Sequence, residues 1–159
     1  MSVEQADLRK AFGSFMTGVT VVTARNGSNQ PLGFTANSFS SVSLEPPLLL
    51  ICIDKSSENL SAFSDAGHFA VNILAHDQQE ISTRFARNVE DRFAGIDWSL
   101  SDEGTPILGG TAAFFSCRMH KTVDAGDHVI MIGEVVSCAS TDKPGLGYHK
   151  GRYFTLGHD

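Results

Sequence analysis

The sequence predicts a mainly β domain whose antiparallel strands close, or nearly close, into a barrel. Three observations carry this expectation. Six or more short apolar or β-branched runs recur along the chain, turn residues separate them, and helical spacing is confined to a few short stretches. Closure removes the open edges that a flat antiparallel sheet leaves to solvent. With 159 residues, 42% hydrophobic and 19% charged, positions 1–159 read as one domain.

The elements follow in order. Ser2 with Gln5 makes a capping-box pattern, and Leu8, Phe12, Phe15 and Met16 then share one helical face. Thr17–Ala24 is a β-branched strand, and Asn26-Gly27, Ser28 and Pro31 break it into a hairpin turn. Leu32–Leu44 reads as one long strand, rich in Ser, Thr and Asn and ended by Pro46-Pro47. Leu48–Ile53 is a buried strand, Glu58–Ala66 a helix and His68–Leu74 a strand. Asp77 with Glu80 repeats the capping-box pattern ahead of the Ile81/Phe85 pair. Arg87–Gly110 is irregular, with Trp98 its one large anchor. Thr111–Val123 and His128–Ser140 form a hairpin through Asp124-Ala125-Gly126-Asp127, and Arg152–Leu156 is a last strand.

Composition excludes several classes of partner. The net charge of −6 argues against nucleic-acid binding, which runs on excess Lys and Arg. The longest apolar run, Leu48–Ile53, is far short of the ~20 residues a membrane helix needs, so no membrane is expected as a partner. The N-terminal stretch lacks the apolar core of a signal peptide, so a cytoplasmic location is expected. Cys52, Cys117 and Cys138 are odd in number, contain no CxxC pair and sit in apolar runs, which reads as buried free thiols. His68, His76, His120, His149 and His158 show no metal-binding spacing, so no metal is expected.

Four features point to ligand chemistry. In the polar stretch, period-2 alternation puts Thr35, Asn37, Phe39, Ser41 and Ser43 on one face and Ala36, Ser38, Ser40 and Val42 on the other. Small side chains let a flat ligand approach, while hydroxyls and amides bond its edge; a solvated barrel exterior is the alternative. In Cys52-Ile53-Asp54-Lys55-Ser56-Ser57 a strand ends, and a Lys and two hydroxyls open a predicted helix. That is a seat for a phosphate, or a plain helix cap. Gly126-Asp127-His128 sets a histidine at a strand end, with an Asp able to orient the ring or to serve the turn. Tyr148, Lys150, Arg152 and Tyr153 combine aromatic and cationic groups between glycines, suited to a ring and a phosphate; a strand with ordinary glycine turns is the alternative. There is no GxSxG and no nucleophile with its base, so the pattern fits a cofactor that brings its own chemistry.

Taken together these segments resemble the flavin reductase family with the FMN-binding split-barrel fold, small NAD(P)H:flavin oxidoreductases that feed two-component monooxygenases. The resemblance rests on FMTGVTVVTA, GFTANSFSSVSLEPPLLLICID, FAVNIL, ISTRFA, GDHVIMIGEV and the Leu146–Tyr153 tail. It implies a six-stranded Greek-key barrel, a homodimer, FMN or FAD as cofactor, NADH or NADPH as donor and an oxygenase partner. It implies flavin contacts at Thr35, Ala36, Asn37 and Ser38, with Ser41 assisting, and a ribityl and phosphate site over Cys52, Ile53, Asp54, Lys55, Ser56 and Ser57. Arg84 and Phe85 would close over the outer part of the flavin. His128 would sit beside the nicotinamide as the catalytic candidate, and Tyr148, Lys150, Arg152 and Tyr153 would line the nucleotide side. On the same fold, a permanently bound FMN carrier or a flavin-dependent reductase of another substrate is the alternative. A binding module for haem or another planar ligand is the third reading.

Overall fold

A computed structural model of the protein describes residues 2–157; His158, one of the histidines considered above, lies outside them. The helices are α1 (Gln5–Gly13), α2 (Leu60–Ala66) and α3 (Gln79–Ala86). The strands are β1 (Thr17–Gly18), β2 (Thr20–Arg25), β3 (Pro31–Ala36), β4 (Ser40–Leu44), β5 (Pro47–Asp54), β6 (His68–Ile73), β7 (Trp98–Leu100), β8 (Pro106–Leu108), β9 (Ala113–Ala125), β10 (His128–Ser140), β11 (Leu146–His149) and β12 (Arg152–Thr155). The chain is thus mainly β, as its sequence indicates.

The main sheet has seven strands in the order β3-β2-β6-β9-β10-β5-β4, with β1-β11-β12 and β7-β8 as smaller sheets. This differs from a closed six-stranded barrel: among the described residues no ladder joins the edge strands β3 and β4. Yet the main sheet curls. A flat seven-stranded sheet would hold its edges about 29 Å apart. The four-residue step from Ala36 to Ser40 spans at most about 14 Å. The edges must therefore come round toward each other. The core agrees, because one cluster gathers side chains from across the sheet: Val22 and Ala24 of β2, Leu49, Ile51 and Ile53 of β5, Phe69 and Val71 of β6, Cys117 of β9 and Met131 of β10.

The polar stretch is two strands, not one. The period-2 pattern runs on through Asn37–Phe39, but these residues leave the β3 ladder, and pairing resumes as Ser40↔Leu50 on β5. Both capping boxes also fail. α1 starts after Glu4, α3 starts after Gln78, and neither N-cap makes a side-chain bond. The Gln78 amide is used elsewhere, accepting from Ala75 N and donating to the Gly109 carbonyl. The irregular Arg87–Gly110 stretch hides the β7-β8 hairpin. The strand alternative holds in the glycine-bearing tail, where β11 pairs with β1 and β12. The β9–β10 hairpin stands as expected, with Gly126 at its bend at φ 65°.

β2 is buried on both faces. Val22 and Ala24 point into the curled sheet, while Val21 joins a second cluster with Leu74, Phe85, Phe93, Leu108 and Leu146. This second cluster seats α3 and the small sheets behind β2 and β3. Asn72 ties the layers: its amide donates to the Val21 carbonyl and Thr23 Oγ1 and accepts from Leu108 N.

Inside the curl, a Cβ at Gly133 would fall 2.6 Å from Phe69 Cζ and 2.8 Å from Cys117 Cβ. Gly133→Ala is expected to destabilise the fold by about 1–3 kcal/mol through overpacking. In urea unfolding this appears as a lower midpoint at unchanged slope; an unchanged midpoint would contradict the packing described.

Candidate functional site

A cleft of about 710 Å³ opens where the main sheet curls round on itself. β3 and the residues after it form one wall, the end of β5 and its turn a second, and the segment after α3 a third, with His128 at the rim. Ser38 makes this arrangement possible. Its hydroxyl donates to the Cys52 carbonyl (3.2 Å) and accepts from Cys52 N (3.1 Å), so one side chain does the work of a missing ladder rung.

β3 is fixed from behind by α3. Thr35 Oγ1 donates to the Ser82 carbonyl at 2.6 Å, and Ser82 Oγ bonds the Tyr153 hydroxyl at 2.7 Å. Gly33 is needed for this fit, since a Cβ there would lie 3.0 Å from the Val22 carbonyl and 3.2 Å from Phe85 Cε1. Across the cleft, Asp54 Oδ1 accepts from both Ser56 N (2.8 Å) and Ser56 Oγ (2.7 Å). The Ser56 backbone bond foremost, then its hydroxyl, holds the Asp54 carboxyl below the usual carboxylate range. His128 stands opposite Asp54 in the β5–β10 register, and its Nδ1 lies 2.7 Å from Asp127 Oδ1. Asp127 therefore orients the ring.

Of the residues singled out from sequence, the structure brings Thr35, Ala36, Asn37, Ser38, Cys52, Ile53, Asp54, Ser56, Ser57, Phe85 and His128 to this cleft. The others lie elsewhere within the chain. Ser41 is exposed on β4, paired with Leu49. Lys55 is not on the cleft wall; its Nζ pairs with Asp124 at 3.7 Å. The Lys-Ser-Ser turn does not open a helix, because α2 begins only at Leu60 and Ser57 Oγ accepts from Asn59 N. Arg84 lines a neighbouring cavity, its guanidinium donating to the carbonyls of Asp91, Arg92 and Ala94. Lys150, Arg152 and Tyr153 line a separate cavity of about 580 Å³ with Met16. Tyr148 packs edge-on against Tyr153, because β11 and β12 belong to the smaller sheet. Sequence reasoning missed Arg92, which reaches the cleft from the stretch without periodicity and donates from Nη1 to the Gly33 carbonyl at 2.7 Å. The available signal was a trio of arginines, Arg84, Arg87 and Arg92, in an acidic chain.

This cleft suits a flat ligand with a polar rim. Its volume is in the range of small-molecule sites, one wall is built of short side chains, and the opposite wall carries hydroxyls. No helix of the described residues is long and apolar enough to cross a membrane. The three thiols differ, in contrast to the uniform burial expected: Cys117 is buried, Cys52 half-buried and Cys138 exposed. Burial foremost, and secondarily Cys138, pushes the Cys117 thiol up to about 12; burial also raises Cys52, against the Ser38 hydrogen bond.

Comparison with known proteins gives a consistent picture. A family model described as flavin reductase like domain matches residues 12–157. A probable flavin reductase of Rhizobium meliloti is 55% identical over 148 residues, covering 93% of this chain and 48% of that protein. The reductase component of the flavin-dependent trigonelline monooxygenase of Acinetobacter baylyi is 54% identical over 149 residues, covering 94% of this chain and 48% of that protein. The chain thus spans about half the length of these two relatives. Among solved structures, the Streptomyces globisporus NADH:FAD oxidoreductase SgcE6 in complex with NAD and FAD fragments superimposes with a TM-score of 0.92 at 38% identity, covering 100% of this chain and 98% of that one.

A thiol-reactive disulfide reagent at mildly alkaline pH is expected to label Cys138 fast, Cys52 slowly and Cys117 only after unfolding, since the thiolate is the reacting form. Equal rates for Cys117 and Cys138 in the native protein would contradict the burial described.

Proposed function

The chain belongs to the flavin reductase like family, and we propose on that footing that it transfers hydride from NADH or NADPH to FMN or FAD and supplies the reduced flavin to a partner monooxygenase. The observation that carries this reading is the cleft itself, where Ser38 joins a shelf of short side chains to a hydroxyl-bearing turn with an oriented histidine at the rim. The names of the relatives supply the partner and the donor: a monooxygenase reductase component and an NADH:FAD oxidoreductase.

When bound, a flavin supplies the hydride acceptor and the reduced nicotinamide the donor, so the chain need not furnish a nucleophile. The roles left to this chain are binding and orientation. The segment Thr35, Ala36, Asn37 and Ser38 presents a surface on which a flat ring system can lie. Thr35 has already given its one proton to the Ser82 carbonyl, so toward a ligand it can only accept. Asn37 is exposed and free to offer both amide functions. Cys52, Ile53, Asp54, Ser56 and Ser57 bound the other side, with the Cys52 backbone groups engaged by Ser38 and its thiol a bystander. His128, fixed by Asp127, is placed to meet the nucleotide, and bringing two reactants into contact is itself a large part of such catalysis.

In this reading the curled sheet is the wall of the family's six-stranded Greek-key split barrel, with β2, β3, β5, β6, β9 and β10 as its strands and β4 as an added edge. The 1–159 span works as one unit in the cytoplasm, where reduced nicotinamide is available. It works as a homodimer. α1 buries none of its residues, and Phe12, Phe15 and Met16 are 69%, 77% and 62% exposed. Such an apolar face is suited to a self-complementary contact. Met16 also borders the cavity of Lys150, Arg152 and Tyr153, so pairing through this face supports a role for these residues and Tyr148 at a partner's nucleotide side.

The direct test is oxidation of NADH and of NADPH by the purified protein with added FMN, FAD or riboflavin. Oxidation that saturates with free flavin is expected; none in any combination overturns the reading, and flavin retained through dialysis with no such turnover favours a bound-flavin carrier. His128→Ala is expected to lower kcat/KM for the nucleotide by about tenfold or more while flavin affinity stays within about twofold. Wild-type reduction kinetics in that variant would remove His128 from the site.

A further inference from the structure

We propose that Asp54 recognises the carboxamide of the reduced nicotinamide by accepting one of its N–H groups; this rests on the reading of the cleft as a site of flavin reduction. Asp54 is a carboxylate on a cleft wall otherwise furnished with the hydroxyls of Ser56 and Ser57. Its Oδ1 accepts from Ser56 N at 2.8 Å and from Ser56 Oγ at 2.7 Å. These bonds, the backbone one foremost, fix the side chain and hold it below the usual carboxylate range, so it is charged at neutral pH. Among the described residues its second oxygen, Oδ2, makes no hydrogen bond and no ion pair. An ionised carboxylate only accepts. Asp54 therefore calls for an N–H or O–H from the ligand, and a phosphate, which carries like charge, is not its partner.

The neighbour of Asp54 decides which donor it meets. Of the acidic residues on the cleft, Asp54 is the one directly across the β5–β10 ladder from His128. Residues directly opposed in an antiparallel pair hold their Cβ atoms about 4.5–5.5 Å apart on the same side of the sheet. One small planar group can thus meet both side chains. His128 Nδ1 is taken by Asp127 at 2.7 Å, which leaves Nε2 for a ligand. The pair offers one fixed acceptor beside one imidazole nitrogen. A primary amide answers both. It gives an N–H to Asp54, and with its second N–H or its carbonyl it meets Nε2 whether or not that nitrogen carries a proton. The reduced nicotinamide bears such an amide next to the ring carbon that gives up the hydride. Holding the amide therefore sets where that carbon stands over the acceptor, which is an effect of orientation. Asp54 moves neither a proton nor an electron; it recognises the donor.

Reduced acetylpyridine adenine dinucleotide keeps the carbonyl of the carboxamide and carries a methyl group in place of its NH2, which isolates the contact. kcat/KM is measured with NADH and with this analogue at saturating FMN for the wild type, Asp54→Asn and Asp54→Ala, together with FMN affinity by flavin fluorescence. NADPH and its acetylpyridine analogue take their place if the protein uses the phosphorylated donor. Asn keeps an oxygen for the Ser56 turn and sets an NH2, a donor, where Oδ2 stood. In Asp54→Asn, kcat/KM with NADH is expected to fall about 10- to 100-fold, the range of a hydrogen bond to a charged group, while the analogue stays within about threefold and FMN affinity within about twofold. Asp54→Ala removes the acceptor without opposing the amide, so a smaller loss is expected, again with NADH alone. Equal losses with the two donors in both variants would show that Asp54 serves only its turn, and would overturn the proposal. So would an unchanged value with NADH, or a loss of FMN affinity in Asp54→Asn, which assigns the carboxylate to the flavin. If the wild type oxidises neither donor with any flavin, the reading of the cleft fails first, and the proposal with it; an active wild type without the donor-selective loss sinks the proposal alone.

Discussion

Ser38, just past the edge strand β3, is bonded to Cys52 near the end of β5, and the cleft depends on that bridge. A sheet whose consecutive strands β3 and β4 occupy opposite edges has to bring those edges together within a few residues. The usual way is to continue the ladder around a closed barrel, which leaves no gap. Here one hydroxyl meets both the N–H and the carbonyl of Cys52, so the segment leaving β3 is held to β5 without being zipped. The remaining opening is polar backbone and short side chains, which is what a flat ligand with a hydrogen-bonding rim requires. An apolar residue at position 38 would leave both Cys52 groups unpaired, and a buried unmet donor or acceptor costs about 1–3 kcal/mol.

The layers behind the cleft make this opening rigid. β2 is covered on both faces, so it cannot shift toward either without opening one of the two clusters. α3 leans on β3 through Phe85 at Gly33 and through the Thr35–Ser82–Tyr153 chain of bonds. The segment after α3 is fastened by the Arg84 and Arg92 side chains onto main-chain carbonyls rather than carboxylates. Two arginines thus organise backbone, and one of them also faces the cleft. The same device caps the Gly33 carbonyl on the edge strand β3, which would otherwise stand ready to pair with another chain.

Much of the fold was legible from local signals. The β9–β10 hairpin was marked by Gly126, and β5 by its apolar run. What escaped was set by contacts distant in sequence. The alternation through Asn37–Phe39 reads as strand because nothing local announces that Ser38 will bond Cys52. β11 stood only as an alternative to a ligand tail, because nothing local shows that Gly147 is small so that the Phe154 ring can lie over it. The second capping box failed because Asp77 pairs with Lys143, and Gln78, which takes the N-cap place, gives its amide to Gly109. The shelf and the turn were visible as composition, but their function came through a family resemblance and not through periodicity. Arg92 lay in a segment with no pattern at all, and only the fold brings it to Gly33.

A structure of the protein with FMN bound tests the central claim most directly, that the gap bridged by Ser38 is the flavin site. The account places the ring system along Thr35–Ser38 with Cys52 and Ile53 behind it and one ring face open toward His128. Flavin seated instead in the cavity lined by Ile81, Arg84 and Arg87, or on the apolar face of α1, would contradict it.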